Sequence, residues 1–165
     1  MKTPVQFRLN GEERAEFVDP GTTLIRLLRE KVGVSSPKAG CLQGTCGCCT
    51  VLIDGAPFLS CLVLAESCGG KSLETVEGLA QGTTYHPLQQ AFMEHFAAQC
   101  GFCTSGMLMA AKALLDRNPS PSRDEVVDAI SGNICRCTGY QPIIAAILAA
   151  ASQLGGSRPA AGRVF

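Results

Sequence analysis

A chain of 165 residues with 46% hydrophobic content has the material for one ordinary domain or two small ones, which excludes a disordered tail. Its 14 basic residues balance 14 acidic ones with no long run of either sign, so nothing draws it to nucleic acid or to an anionic membrane. Residues 1–8 lack an apolar signal-peptide core and a twin-arginine pair, and the longest apolar run, 143–151, falls far short of the roughly 20 residues that span a bilayer; cytoplasmic residence without a membrane span is the expectation.

In chain order, Val5, Phe7 and Leu9 alternate with Gln6 and Arg8, Asn10 and Gly11 signal a two-residue turn, and Phe17 and Val18 sit in a return strand. Asp19, Pro20 and Gly21 close that hairpin. Thr22 or Thr23 can then cap a helix with Leu24, Leu27 and Leu28 on one face, ending near Gly33. After a cysteine-rich loop, residues 50–53 read as a strand, Asp54 and Gly55 as a turn, and 58–60 lead into Cys61; a further strand runs over 72–76. These elements predict a small mixed sheet with a helix on one face, an α+β arrangement.

The stretch after Glu77, with Gly78 and Gly82 and no apolar period, reads as a linker. Pro87 suits a first helical position, and Leu88, Ala91, Phe92 and His95 or Phe96 recur at helical spacing up to Gln99. A second helix runs from Thr104 to the stop at Asn118 and Pro119. Ser122 with Glu125 forms a capping box ahead of Val126, Val127 and Ile130, and Pro142 opens a last helix that fades at Gly155 and Gly156. Short loops make these four helices antiparallel neighbours. The predicted boundaries are a first domain over 1–78, a linker over 79–86, a helical domain over 87–154, and a loose or partner-bound tail over 155–165.

Ten cysteines in a chain without an export signal point to metal ligation, because the cytosol keeps thiols reduced. Cys41, Cys46 and Cys49 make the C-x4-C-x2-C run of a plant-type [2Fe–2S] loop, with Cys61 as the natural fourth ligand. Gly44 and Gly47 allow left-handed dihedrals and a close approach of backbone amides to sulfur. A second set, Cys100, Cys103, Cys135 and Cys137, converges on interhelical turns, where helix N-termini stabilise the negative charge of a thiolate-ligated cluster.

The motifs Gln99-Cys100-Gly101-Phe102-Cys103-Thr104 and Asn133-Ile134-Cys135-Arg136-Cys137-Thr138-Gly139-Tyr140, with the first loop, resemble the iron–sulfur subunit of the molybdenum hydroxylases, the xanthine oxidase family, over nearly the whole chain. The resemblance implies a β-grasp ferredoxin-like half followed by a four-helix bundle, each with a [2Fe–2S] cluster. It implies a large partner subunit with molybdopterin in its cytosine dinucleotide form and a medium FAD-binding subunit or another acceptor, in a heterotrimer or dimer of heterotrimers. Electrons would pass from molybdenum to the cluster of Cys100, Cys103, Cys135 and Cys137, then to that of Cys41, Cys46, Cys49 and Cys61, with Gln99 and Cys137 against the pterin. Position 105 departs from the family: it is Ser where proline is common after the Cys-Thr pair, which changes stiffness at a helix start.

Simpler readings stand beside these. Cys48 and Cys68 have no place in the ligand set and read as small buried thiols, although a shifted frame could use Cys48 in place of Cys49. Gln99 could cap a helix, Arg136 could neutralise a cluster or pair with a partner's acid, and His86 and His95 read as surface or packing residues. With no nucleotide fingerprint and no nucleophile–base pair, the chain reads as an electron conductor with no catalytic residues of its own. A zinc-stabilised interaction module and a free-standing ferredoxin, with a potential of about −400 mV, are the other classes that these cysteines allow.

Overall fold

In β1 (Thr3–Leu9) the side chains of Val5, Phe7 and Leu9 are buried and those between them exposed, the period-two pattern that pins one strand face to a core. Asn10 and Gly11 take φ of 51° and 89°, the left-handed pair that a two-residue hairpin turn needs, and β2 (Glu12–Val18) returns antiparallel. Asp54 and Gly55, at 50° and 80°, join β3 (Thr50–Ile53) to β4 (Ala56–Leu59) in the same way. β5 (Ser72–Glu74) runs parallel to β1 and antiparallel to β3, giving one mixed sheet of order β2-β1-β5-β3-β4. The computed structural model describes residues 1–156, so the predicted tail from 157 on lies outside the described residues.

β5 stops before the predicted Val76 because the Asn10 side chain takes over its pairing: Thr75 N donates to Asn10 Oδ1 at 2.8 Å and Asn10 Nδ2 donates to Thr75 Oγ1 at 3.0 Å. A single 3-10 turn, Val76–Gly78, follows. The first helix also departs from expectation. α1 (Leu24–Arg26) widens into a π-helical turn over Leu27–Val32, with Leu24, Leu27 and Leu28 fully buried, and Gly33 ends it at φ 82°. Neither threonine caps it: Thr23 stands at the N-cap without a side-chain bond, and Thr22 Oγ1 donates to Asp19 O. The helix's first amides are instead satisfied by the chain around Cys61, through Leu24 N to Val63 O at 2.7 Å and Ile25 N to Ser60 O at 3.0 Å.

Four helices follow: α2 (Pro87–Glu94), α3 (Thr104–Arg117), α4 (Arg123–Ile130) and α5 (Gln141–Gly156). The capping box of Ser122 and Glu125 forms as predicted; a second, His86 with Gln89, opens α2, with His86 Nδ1 accepting from Leu88 N at 3.2 Å. α2 does not reach Gln99. Phe96 turns left-handed at φ 52°, and the amides of Phe96 and Ala97 donate back to Met93 O and Phe92 O, closing a Schellman motif and leaving Phe96 81% exposed.

One core lies between the sheet and α1, and the other among the helices. All four residues of β3 are buried, and its alternation explains how: Val51 and Ile53 join the first core while Leu52 joins the helical one beside Met107 and Leu108. Leu79, just past the 3-10 turn, is also buried in the helical core. Across the same contact Ser105 Oγ donates to Ser36 O, and Lys112 Nζ lies 3.3 Å from Glu74 Oε2. Among the described residues no helix is long and apolar enough to cross a membrane.

Candidate metal centres

The loop that carries Cys41, Cys46 and Cys49 curls through three left-handed residues, Leu42 at φ 55°, Gly44 at 80° and Gly47 at 70°. Gly47 must be glycine on packing grounds, since a Cβ there would lie 2.4 Å from Gly132 O; at Gly44 a Cβ would meet only the movable end of the exposed Leu62 side chain, and the left-handed φ is what favours glycine. The curl turns the amides of Gln43, Thr45 and Cys46 onto Cys41, with Thr45 N 3.2 Å from its Sγ, and these donors bring the Cys41 thiol down to about 6. Cys46 is the thiol partner of Cys41. Cys49 and Cys61 pair in the same way, both buried, after Ser60 Oγ donates to Cys49 O at 2.7 Å and brings the Cys61 segment alongside. Burial first, then the Cys49 thiol, pushes Cys61 up to about 11.

In the helical half, Gly101 at φ 80° turns the chain between Cys100 and Cys103 immediately before α3, while Cys135 and Cys137 lie in the loop before α5. Cys137 Sγ stands 3.5 Å from Cys100 Sγ in an exposed pair. Cys103 and Cys135 form a buried pair, in which burial and the Cys135 thiol push Cys103 up to about 12. Cys135 goes the other way: burial raises it, but the Thr138 hydroxyl and the amides of Thr138 and Cys137 outweigh this and lower it.

The thiols thus form two pairs in each half. Two sulfurs bound at about 2.3 Å to one tetrahedral metal stand about 3.8 Å apart, so the 3.5 Å spacing of Cys100 and Cys137 fits one metal per pair. In each half the two pairs lie close enough to feel each other's charge, Cys61 that of Cys41 and Cys103 that of Cys100, and with backbone donors on the sulfurs they suit a four-thiolate diiron cluster.

The remaining candidates fall outside these pairs. Cys48, whose thiol also nears that of Cys46, donates to Cys46 O at 3.7 Å and turns into the helical core, where burial pushes it up to about 12. Cys68 is fully buried and donates to Leu64 O at 3.7 Å. His86 caps α2, His95 is exposed at its end, and Gln99 and Arg136 are exposed beside the second set. Sequence reading gave no role to three residues of the second motif. Tyr140 Oη accepts from Cys135 N at 2.9 Å, Thr138 Oγ1 lies 3.1 Å from Cys135 Sγ, and the buried Asn133 donates from Nδ2 to Gly47 O at 2.9 Å. Their spacing around Cys135 was visible, but the fold supplies their partners.

The two halves are stitched at these loops. A Cβ on Gly106, in the first turn of α3, would meet Gly47 O at 2.2 Å, and Ile134 N donates to Cys46 O at 2.9 Å.

Residues 7–78 match the family described as a 2Fe-2S iron-sulfur cluster binding domain, and residues 75–148 match a [2Fe-2S] binding domain. The chain is 49% identical over 154 residues, 93% of each chain, to the nicotine 6-hydroxylase small subunit of Paenarthrobacter nicotinovorans. It is 47% identical to the nicotinate dehydrogenase small FeS subunit of Eubacterium barkeri, over 88% of this chain and 93% of that one. Among solved structures, quinoline 2-oxidoreductase from Pseudomonas putida 86 superposes with a TM-score of 0.91 at 51% identity, covering 94% of this chain and 98% of that one.

Proposed function

Since this chain belongs to the iron–sulfur subunits of the molybdenum hydroxylases, non-catalytic electron-transfer parts of oxidoreductase complexes, we propose that its paired thiols are the ligands of two [2Fe–2S] clusters in series. Cys41, Cys46, Cys49 and Cys61 hold the first, in a β-grasp domain over 1–78; Cys100, Cys103, Cys135 and Cys137 hold the second, in a four-helix bundle over 87–154 reached through the segment 79–86. The observation that carries this reading is the pairing of the thiols, four in each half, with amide donors on the sulfurs.

When bound, each cluster supplies a one-electron couple. The chain's own residues set the route. Cys100 and Cys137, the exposed pair, would hold the second cluster at the surface, and Gln99 and Cys137 would lie against the molybdopterin, in its cytosine dinucleotide form, of the large subunit. Cys103 and Cys135, the buried pair, lie on the side stitched to the first loop through Ile134 and Cys46. The amides of Gln43, Thr45 and Cys46 keep Cys41 anionic, ready for metal. The first quartet would pass electrons on to FAD on a medium subunit or to another acceptor, in a cytoplasmic heterotrimer or a dimer of heterotrimers. Relatives named for nicotine, nicotinate and quinoline favour an N-heteroaromatic substrate, bound wholly by the large subunit.

Anaerobic co-purification with the partner subunits tests this. Red-brown material with about four irons and four acid-labile sulfides per copy of this chain is expected. Colourless, zinc-containing protein overturns it.

A further inference from the structure

Among the described residues, the eight sulfurs that we read as ligands are met by backbone amides and by other thiols, and one of them also by a hydroxyl. Thr138 Oγ1 lies 3.1 Å from Cys135 Sγ and is the side-chain hydroxyl on the set. Tyr140 N donates to Thr138 Oγ1 at 3.2 Å and occupies a lone pair on that oxygen. A metal-bound Cys135 carries no proton, so the Thr138 O–H is left to donate to sulfur. The Tyr140 amide holds Thr138 Oγ1 toward the sulfur, and Tyr140 itself is anchored to the same loop, its Oη accepting from Cys135 N at 2.9 Å and donating to Asn133 O at 3.3 Å.

We propose that Thr138 is a positioning residue that raises the reduction potential of the second cluster by donating its hydroxyl proton to Cys135 Sγ. This rests on the ligand assignment above. Reduction adds negative charge to the sulfurs, so a donor fixed on one of them stabilises the reduced form more than the oxidised one. Cys135 is buried, so the bond acts where solvent screens it little. It also acts on the ligand that follows Ile134, whose amide reaches the first loop, so the driving force between clusters depends on it.

The test is a potentiometric titration of the assembled complex followed by electron paramagnetic resonance. Thr138→Val is expected to lower the midpoint of one of the two cluster signals by about tenfold in the reduction equilibrium, about 59 mV for a one-electron couple, and to leave the other in place. Thr138→Ser, which keeps the hydroxyl, is expected to match the parent. The proposal is overturned if Thr138→Val shows both signals at unchanged midpoints, or if Thr138→Ser shifts as far as Thr138→Val. Should valine prevent cluster assembly, Thr138→Ala replaces it; loss of the cluster in both, with retention in serine, makes the hydroxyl a requirement for assembly and also overturns the proposal. Cys135→Ser in the same preparation separates the two readings, since two intact signals there break the ligand assignment whatever Thr138 does.

Discussion

The backbone N–H of Ile134 donates to the carbonyl oxygen of Cys46 at 2.9 Å. One is the neighbour of a candidate ligand in the helical half and the other a candidate ligand in the sheet half, so a single hydrogen bond closes a short covalent route from Cys46 Sγ to Cys135 Sγ. Asn133 reinforces it by donating from Nδ2 to Gly47 O at 2.9 Å and to Thr50 Oγ1 at 3.4 Å, all three groups being buried.

Removing that donor takes away the hydrogen bond that links the halves without orphaning its acceptor. Asn133→Ala leaves Gly47 O with Thr50 N at 3.0 Å and Thr50 Oγ1 at 2.7 Å, so the loss is that of one buried hydrogen bond, about 1 kcal/mol. A denaturant melt of the assembled complex should show the loss, and the magnetic coupling between the two cluster signals should weaken. Unchanged coupling at reduced stability would limit Asn133 to packing.

Glycines at this junction differ in what surrounds them. Gly106→Ala places a methyl 2.2 Å from Gly47 O, backbone against backbone, whereas a Cβ on Gly132 meets nothing within 4 Å. Overpacking of this kind costs about 1–3 kcal/mol or more. Gly106→Ala should lower the melting temperature and disturb both cluster signals, and Gly132→Ala should do neither; equal behaviour of the two variants contradicts the packed junction.

Cysteine replacements sort the ten thiols. Cys135→Ser or Cys137→Ser should remove one of two paramagnetic signals and block transfer from substrate to acceptor, with iron content falling accordingly. Cys68→Ser should keep both signals, since Cys68 sits fully buried on Leu64 O away from either set. Loss of a cluster in that variant requires a different ligand list.

His86 introduces a pH dependence. Its Nδ1 accepts from Leu88 N at the start of α2, and burial, then Lys112, holds its pKa below the usual 6.5. A base whose folded pKa lies below its unfolded value binds protons more weakly when folded, so stability is fully present above about 6.5 and falls as pH drops through the folded value. The cap contributes about 1 kcal/mol. Melting temperature should decline below pH 6.5 in the parent and much less in His86→Asn, which caps without titrating.

The sequence by itself determined the chemistry and most of the elements. C-x4-C-x2-C with a later cysteine, the turn pairs Asn10-Gly11 and Asp54-Gly55, and the Ser122 capping box all act over a few residues, where dihedral preference and ligand spacing decide the outcome. Tertiary structure decided what depends on distant partners. The start of α1 is capped by Val63 and Ser60 instead of Thr22 or Thr23, α2 ends in a Schellman motif that places a phenylalanine where glycine is usual, and Cys48 turns into a core built by α3. The junction of Gly47, Gly106 and Asn133 could not be read along the chain, because these residues are brought together only when two cores pack on opposite faces of β3. Local spacing chooses the candidate ligand atoms, whereas the packing of the halves sets how close the two quartets come.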